Sequence, residues 1–255
     1  MARKLDKRNI IKVVMQNSFI KARPSQNMEA NAQKLLRMSM AQCQITDKEF
    51  YEYEISNKEL AEMFNVSMPN ISQHIDRWTS QCMGTVLEFR ESESEKFIKY
   101  ALFSKCEYDG GTLRMKLNPD MTPFVLGIKK NLGFTQYELS KILTTKGKYT
   151  IRIYEMIMLQ MKSKQPYADN TIEVELSINE IRVQTSTENR YKQIGQLKEK
   201  VINKAFEEIE KKMFWKIETT DIKQGRTIIG IKLKIWSQCG FNYTESQKRK
   251  IKETY

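Results

Sequence analysis

One order of elements is written twice in this chain, and it limits the fold more than any other feature. Each copy runs helix, strand, two helices, hairpin. The clearest marker is a Ser-x-x-Glu placed directly after an alternating apolar run. In the first half, Phe50-Tyr51-Glu52-Tyr53-Glu54-Ile55 leads into Ser56 and Glu59. In the second half, Ile172, Val174 and Leu176 alternate and lead into Ser177 and Glu180. Alternation with a period of two marks a half-buried strand. A serine followed three residues later by glutamate is the capping box that opens a helix. Two such handovers predict two similar α+β units in tandem.

Residues 133–162 join the copies. They read as a short helix over 137–143, a break at Lys146-Gly147-Lys148, and a longer helix from about Tyr149. Ile151, Ile153, Tyr154, Met156, Ile157, Met158, Leu159 and Met161 make that helix apolar almost all round, the pattern of a buried helix. Lys148, Arg152 and Glu155 form its one polar strip, at spacings that share a face.

In the first unit, residues 1–27 read as a polar, basic arm with one apolar patch at Ile10 to Val14 and a short strand. Asn27 is the predicted cap of a helix over 28–43, with Met28, Ala32, Leu35, Leu36, Met38 and Met40 as its apolar face. After Ser56, the side chains of Leu60, Ala61 and Phe64 face inward. Asn65-Val66-Ser67 makes a tight turn, and Pro69 falls in the first turn of the next helix, where its missing N–H costs nothing. Ile71, Ile75, Trp78 and Cys82 fall on one stripe, and Asn70, Gln73 and Arg77 on the opposite face. Two helices about a tight turn, the second with a polar outer face, fit a helix-turn-helix; an ordinary helical hairpin has the same spacing. Strands follow at 85–91 and 96–104, joined by Ser92-Glu93-Ser94-Glu95, and a third at 112–117 after the turn signal Asp109-Gly110-Gly111. The hairpin over 85–104 completes a winged helix whose acidic tip is a poor phosphate ligand. A short linking helix is expected at 124–130.

In the second unit, the break after the Ser177 helix runs from Gln184 to Asn189, and the next helix spans 190–213. Leu197, Val201, Ala205, Ile209 and Met213 are its buried stripe, with Ile202 and Phe206 beside them. Lys192, Gln193, Gln196, Lys200, Asn203 and Lys204 share the other face, and Glu207, Glu208 and Glu210 come only later. Gln and Asn pair with adenine, and Lys with guanine or phosphate, so this face suits DNA; a plain solvated face is the alternative. A hairpin over 214–220 and 227–236 carries a basic tip with Lys223 and Arg226. Residues 237–255 read as a basic tail.

Charge agrees with this division. The net charge is +12. Residues 1–128 hold 18 Lys and Arg against 16 Asp and Glu, net +2, and residues 129–255 hold 25 against 15, net +10. Concentrated positive charge calls for a polyanionic partner; charge alone does not separate nucleic acid from an acidic protein or a membrane surface. Cys43, Cys82, Cys106 and Cys239 are far apart and form no Cys-x-x-Cys pair, so no metal ribbon is expected and a reducing cytoplasm fits. No apolar run is long enough for a membrane span. The single histidine, His74, rules out the two-histidine metal site of a nicking initiator. No phosphate-binding Gly-x-x-x-x-Gly-Lys-Ser/Thr occurs. The expectation is a non-enzyme with no cofactor and no metal.

Longer motifs narrow the reading. FTQYELSKILTTKGKYTIRIYEMI at 134–157, LSINEI at 176–181, LKEKVINKAFEEIEKK at 197–212, GRTIIGIKLKI at 225–235 and VVMQNSFIKA at 13–22 occur in order. With them the chain resembles the replication initiator (Rep) proteins of iteron-containing, theta-replicating plasmids over residues 13–236. It departs in having Lys146-Gly147-Lys148 where Lys-Ser-Lys is usual, and in lacking a common Gly after Ile181. The resemblance implies two tandem winged-helix domains related by a pseudo-repeat: an arm at 1–27, a first domain at 28–130 for dimerisation and accessory contacts, a second at 131–236 reading origin repeats, and a tail. It implies double-stranded DNA as partner, as direct repeats bound by monomers and an operator inverted repeat bound by dimers, with origin opening, repression of its own promoter, and host replication proteins as further partners. The alternative is a winged-helix repressor with no initiation role. The expected DNA-binding residues are Arg190, Tyr191, Lys192, Gln193, Gln196, Lys200, Asn203 and Lys204, then Lys223 and Arg226 on the wing, Lys146 and Lys148 in the hinge, and Asn70, Gln73 and Arg77.

Overall fold

Both Ser-x-x-Glu sites start helices. The Ser56 hydroxyl accepts from the Glu59 amide, and the Glu59 carboxylate accepts from the Ser56 amide, a complete capping box. At the second site Ser177 accepts from the Glu180 amide at 3.5 Å. The computed structural model describes residues 3–4, 12–44, 46–90, 95–128, 133–162, 164, 166–167 and 169–237. The chain begins β1 (Arg3–Lys4), β2 (Lys12–Gln16), α1 (Asn17–Lys21), β3 (Arg23–Pro24), α2 (Ala30–Ala41), β4 (Tyr53–Ser56), α3 (Asn57–Phe64), α4 (Ile71–Gly84). Next come β5 (Val86–Arg90), β6 (Phe97–Ala101), β7 (Phe103–Tyr108), β8 (Thr112–Leu117) and α5 (Thr122–Val125). Then follow β9 (Phe134–Glu138), α6 (Leu139–Leu143), α7 (Thr150–Met161), β10 (Thr171–Ser177), α8 (Ile178–Gln184), α9 (Ile194–Leu197), α10 (Asn203–Met213), β11 (Trp215–Gln224) and β12 (Thr227–Ser237).

The sheets prove the duplication. β4 pairs antiparallel with β8, and β8 with β7; β10 pairs antiparallel with β12, and β12 with β11. Each unit is therefore a helix, a strand, a helix-turn-helix, and a hairpin whose second strand pairs with the first strand: two winged helices in tandem.

The first wing is not the expected hairpin. β7 and β8 form it, closed at Asp109-Gly110-Gly111, where Gly110 has φ +92°. The Asp109 carboxylate accepts from the amides of Gly111 and Thr112 at 2.9 and 2.8 Å. These bonds, and a 2.8 Å contact from Arg114, hold its acid down to about 2. The predicted strand 96–104 breaks at Leu102, which is buried and whose amide and carbonyl bond to Thr85 and Asn118. β5 and β6 instead form a separate sheet with β3. Residues 91–94 of the expected acidic tip lie outside the described residues, as do 129 and 130 of the expected linking helix and 238–255 of the tail.

The segment before residue 28 is built into the core. β2 pairs antiparallel with β9, Val13 opposite Tyr137, and Val13, Met15, Phe19 and Ile20 are buried. With that partner, residues expected to be helical from Tyr137 stay extended to Glu138, and α6 starts at Leu139.

Two buried helices, α2 and α7, join the units. Gln33, Lys34, Arg37 and Ser39 of α2 are as buried as its leucines and methionines. In α7, Arg152 and Glu155 are also buried, so of the predicted polar strip Lys148 alone faces water. Arg152 and Glu155 belong to an ion cluster between the units. The Glu155 carboxylate accepts from Arg37 Nε and Nη2 at 2.9 and 2.7 Å, from the Tyr137 hydroxyl at 2.6 Å and from Arg152 Nη1 at 3.1 Å. Arg152 Nη2 also donates to the Ile20 carbonyl and to Gln184 Oε1, and Gln184 Nε2 donates to the Lys21 carbonyl. The Arg37 Nε and Nη2 donors and both Arg152 Nη atoms find acceptors, as burial demands, while the buried Arg152 Nε has none.

Candidate nucleic-acid interface

The second recognition helix runs without a break from Ile194 to Met213. Its middle, Lys198–Ile202, is a wider i→i+5 turn. Leu197, Val201, Ile202, Ala205, Phe206, Ile209 and Met213 are all buried. The predicted stripe thus packs inward, and Gln196, Lys200, Asn203 and Lys204 are left exposed. Lys200 Nζ pairs with Glu199 at 2.6 Å.

Arg190, Tyr191, Lys192 and Gln193, expected within the helix, lie in the turn before it. Tyr191 has φ +50°, a region that costs a non-glycine residue energy unless neighbours hold it. Arg182 of α8 holds it. Its guanidinium donates to the carbonyls of Thr187, Arg190, Tyr191 and Lys192 at 2.9–3.3 Å. Beneath the turn, the Thr185 and Thr187 side chains are buried and meet at 2.9 Å. Burial and a hydrogen bond with Tyr191 of this turn push the phenol of Tyr149, in the hinge, up to about 12.

In the hinge, Lys146 and Lys148 are exposed while their backbone is held. Glu208 of α10 accepts from the amides of Lys146 and Gly147 at 2.6 and 2.9 Å and from Thr150 Oγ1 at 2.6 Å. The second wing is longer than expected: β11 continues through Gln224, and the tip shrinks to Gly225 and Arg226, with Gly225 at φ +60°. Lys223 and Arg226 are exposed there. Lys198 pairs with Asp221 at 2.8 Å and ties the helix to the wing.

In the first unit, Ile71, Ile75, Trp78 and Cys82 are buried as the stripe requires, and Asn70, Gln73 and Arg77 are exposed. Arg77 is already engaged, by Glu29 at 3.1 Å and by His74 Nδ1 at 3.2 Å. His74 stacks on Trp78 with ring centroids 5.3 Å apart.

The second unit therefore brings the turn 190–193, the outer face of its helix, the hinge lysines and the basic wing into one framework. Sequence reasoning missed Arg182, whose carbonyl partners lie 5 to 10 residues on, and Glu208 and Gln33, whose partners in the hinge are distant in the chain. A capping acid before a helix has a local signature; an acid that caps a neighbouring helix has none. Among the described residues no helix is long and apolar enough to cross a membrane.

Comparison with known proteins agrees with this architecture. The family described as "Initiator Replication protein, WH1" matches residues 12–158, and "Initiator Rep protein, WH2" matches residues 177–235. A replication initiation protein of Escherichia coli is 23% identical over 142 residues, 56% of this chain. The match spans only 43% of that protein's length. The crystal structure of the Pi initiator protein in complex with iteron DNA is similar in fold, with a TM-score of 0.71 and 17% identity over 89% of this chain and 97% of that one. The first family match alone covers more than half of the chain, and the protein belongs to the initiator replication protein family, with its two winged helices in the family's order.

Proposed function

We propose that the protein is a sequence-specific double-stranded DNA-binding initiator of plasmid replication. It binds origin repeats as a monomer and promotes opening of the adjacent duplex, with no catalytic step of its own. One observation carries this reading. The second recognition helix buries its whole apolar stripe and leaves Gln196, Lys200, Asn203 and Lys204 exposed beside a basic wing tip. A helix presented in this way fits the major groove, and a wing fits the adjacent backbone. Gln196, Lys200 and Asn203 are the base readers; Lys223, Arg226, Lys146 and Lys148 neutralise phosphates; Arg190, Tyr191, Lys192, Gln193 and Lys204 complete the contact. Asn70, Gln73 and Arg77 add contacts from the first domain. The initiator of similar fold was solved with iteron DNA, which supports the same use here.

A second reading concerns a dimer. β6 lies at the edge of its sheet, with Phe97 and Ile98 half exposed at 50% and 57%. An unpaired strand edge invites pairing with a second copy. A dimer joined there is two-fold symmetric and suits an operator inverted repeat.

The test is binding to duplexes from the DNA flanking the coding region, across a salt series, against random duplex. Neutralising about six phosphates gives a log–log slope near −5. A flat salt dependence, or equal affinity for random duplex, would sink the DNA-reading hypothesis.

A further inference from the structure

We propose that Glu208, an acid on the recognition helix, is a positioning residue for backbone contact by Lys146 and Lys148. The inference rests on the DNA-binding reading above. An acid on a DNA-facing helix ordinarily repels phosphate. This one has another task. Its carboxylate accepts from two amides in the loop before α7, those of Lys146 and Gly147, and from the hydroxyl of Thr150, the first residue of α7, at 2.6–2.9 Å. Loop amides have no helix or strand partner of their own, and here an internal anion satisfies two of them.

The same loop is held from the other side. Gln33 of α2, buried in the first unit, donates from Nε2 to the Lys148 carbonyl at 2.6 Å. The loop is clamped between the recognition helix of one unit and the central helix of the other. Its backbone is spent on these bonds, and the two lysine heads remain exposed. Gly147 completes the fit. A Cβ there would meet Thr150 Oγ1 at 2.3 Å and Glu208 Oε2 at 2.8 Å, so any larger residue must push the carboxylate away. Further positive charge surrounds the acid: Lys34 feels Glu208, Lys146 and Lys212 together. Glu208 thus fixes Lys146 and Lys148 at a set distance from the helix that reads bases.

Charge and position predict opposite signs, so one substitution separates them. Glu208→Gln removes a negative charge. If charge alone matters, duplex affinity rises, as it should for Glu207→Gln, an exposed neighbour on the same helix. If Glu208 positions the loop, affinity for repeat DNA falls about tenfold, and the salt slope loses roughly one to two units as the lysine contacts go. Gly147→Ala, which changes no charge, should give the same loss, and circular dichroism and melting establish that each variant is folded. If Glu208→Gln fails to fold, Gly147→Ala carries the test alone. Wild type that does not distinguish repeat from random duplex defeats the DNA-binding reading itself. Wild type that does, with a folded Glu208→Gln behaving like Glu207→Gln or a Gly147→Ala of unchanged slope, overturns the positioning role.

Discussion

Replacing Glu155 by glutamine removes the only carboxylate from the cluster that joins the two winged helices. The side chain is fully buried and accepts four hydrogen bonds, two from Arg37, one from Arg152 and one from Tyr137. Glutamine keeps the shape but turns one acceptor into a donor, aimed at guanidinium N–H groups. Arg37 and Arg152 are then buried cations with no counter-ion. Breaking a buried pair by removing one partner costs about 3–5 kcal/mol, a large part of a domain's roughly 5–15 kcal/mol of stability. At about 2–4 °C per kcal/mol for a chain of this size, Tm should fall by roughly 10 °C. Urea unfolding followed by circular dichroism, with a thermal scan, measures it. Arg37→Met should cost a similar amount, and Arg37→Met with Glu155→Gln should cost less than the sum of the two single changes, by more than about 1 kcal/mol. A Glu155→Gln variant within about 1 kcal/mol of wild type, or strictly additive single effects, would refute the reasoning. The pH dependence has a fixed sign. Burial pushes the Glu155 carboxyl up, but Arg37, Arg152 and Tyr137 outweigh it and hold it below the ordinary range. Its contribution is present above an unfolded value of about 4.3 and is lost as pH falls through the lowered folded value. Arg152 is pulled down to about 10 by burial, against the raising field of Glu155 and with Arg37 adding to the lowering.

Lys34→Met should stabilise the protein at pH 7. Burial lowers the Lys34 amine to about 8, against about 10.4 unfolded, so the charged form penalises the fold by about 3 kcal/mol below pH 8. The stability difference between Lys34→Met and wild type should close between about pH 8 and 10.4 as the native Lys34 amine loses its proton; denaturant midpoints of both proteins at pH 7 and 10 decide it. Gln196→Ala, Lys200→Ala and Asn203→Ala should each cost about 1–3 kcal/mol of binding and relax one base position. Lys223→Ala and Arg226→Ala should weaken all duplexes alike and lower the salt slope by about one; wing changes that altered sequence preference would reverse the assignment. A proline or charge at Ile98 should favour monomers, weaken inverted-repeat binding and spare direct-repeat binding. Sedimentation that shows an unchanged dimer excludes the β6 edge.

Much of the fold was legible because it rests on local chemistry. Ser56 with Glu59 and Ser177 with Glu180 announce helix starts within four residues. The stripes at Ile71, Ile75, Trp78 and Cys82, and from Leu197 to Met213, need only the 3.6-residue period, and both are buried as expected. The first wing was misread because strands 85–91, 96–104 and 112–117 are equally good strands. Which pair forms the wing depends on which one β4 joins, and that is a choice of partner across the sheet.

The same division holds for the candidate site. Sequence alone determined that the two units are winged helices, that the second is the basic one, and which face of its helix is polar. Tertiary structure decided the rest. It turned Arg152 and Glu155 from a solvated strip into a buried joint, because Arg37 arrives from a helix 118 residues away in sequence. It converted Glu208 from a repelling charge into an anchor, and placed Arg190 to Gln193 in a turn gathered by Arg182. Periodicity and caps are written in neighbouring residues. Counter-ions and carbonyl acceptors are supplied by whatever segment folds against them, and no local pattern names that segment.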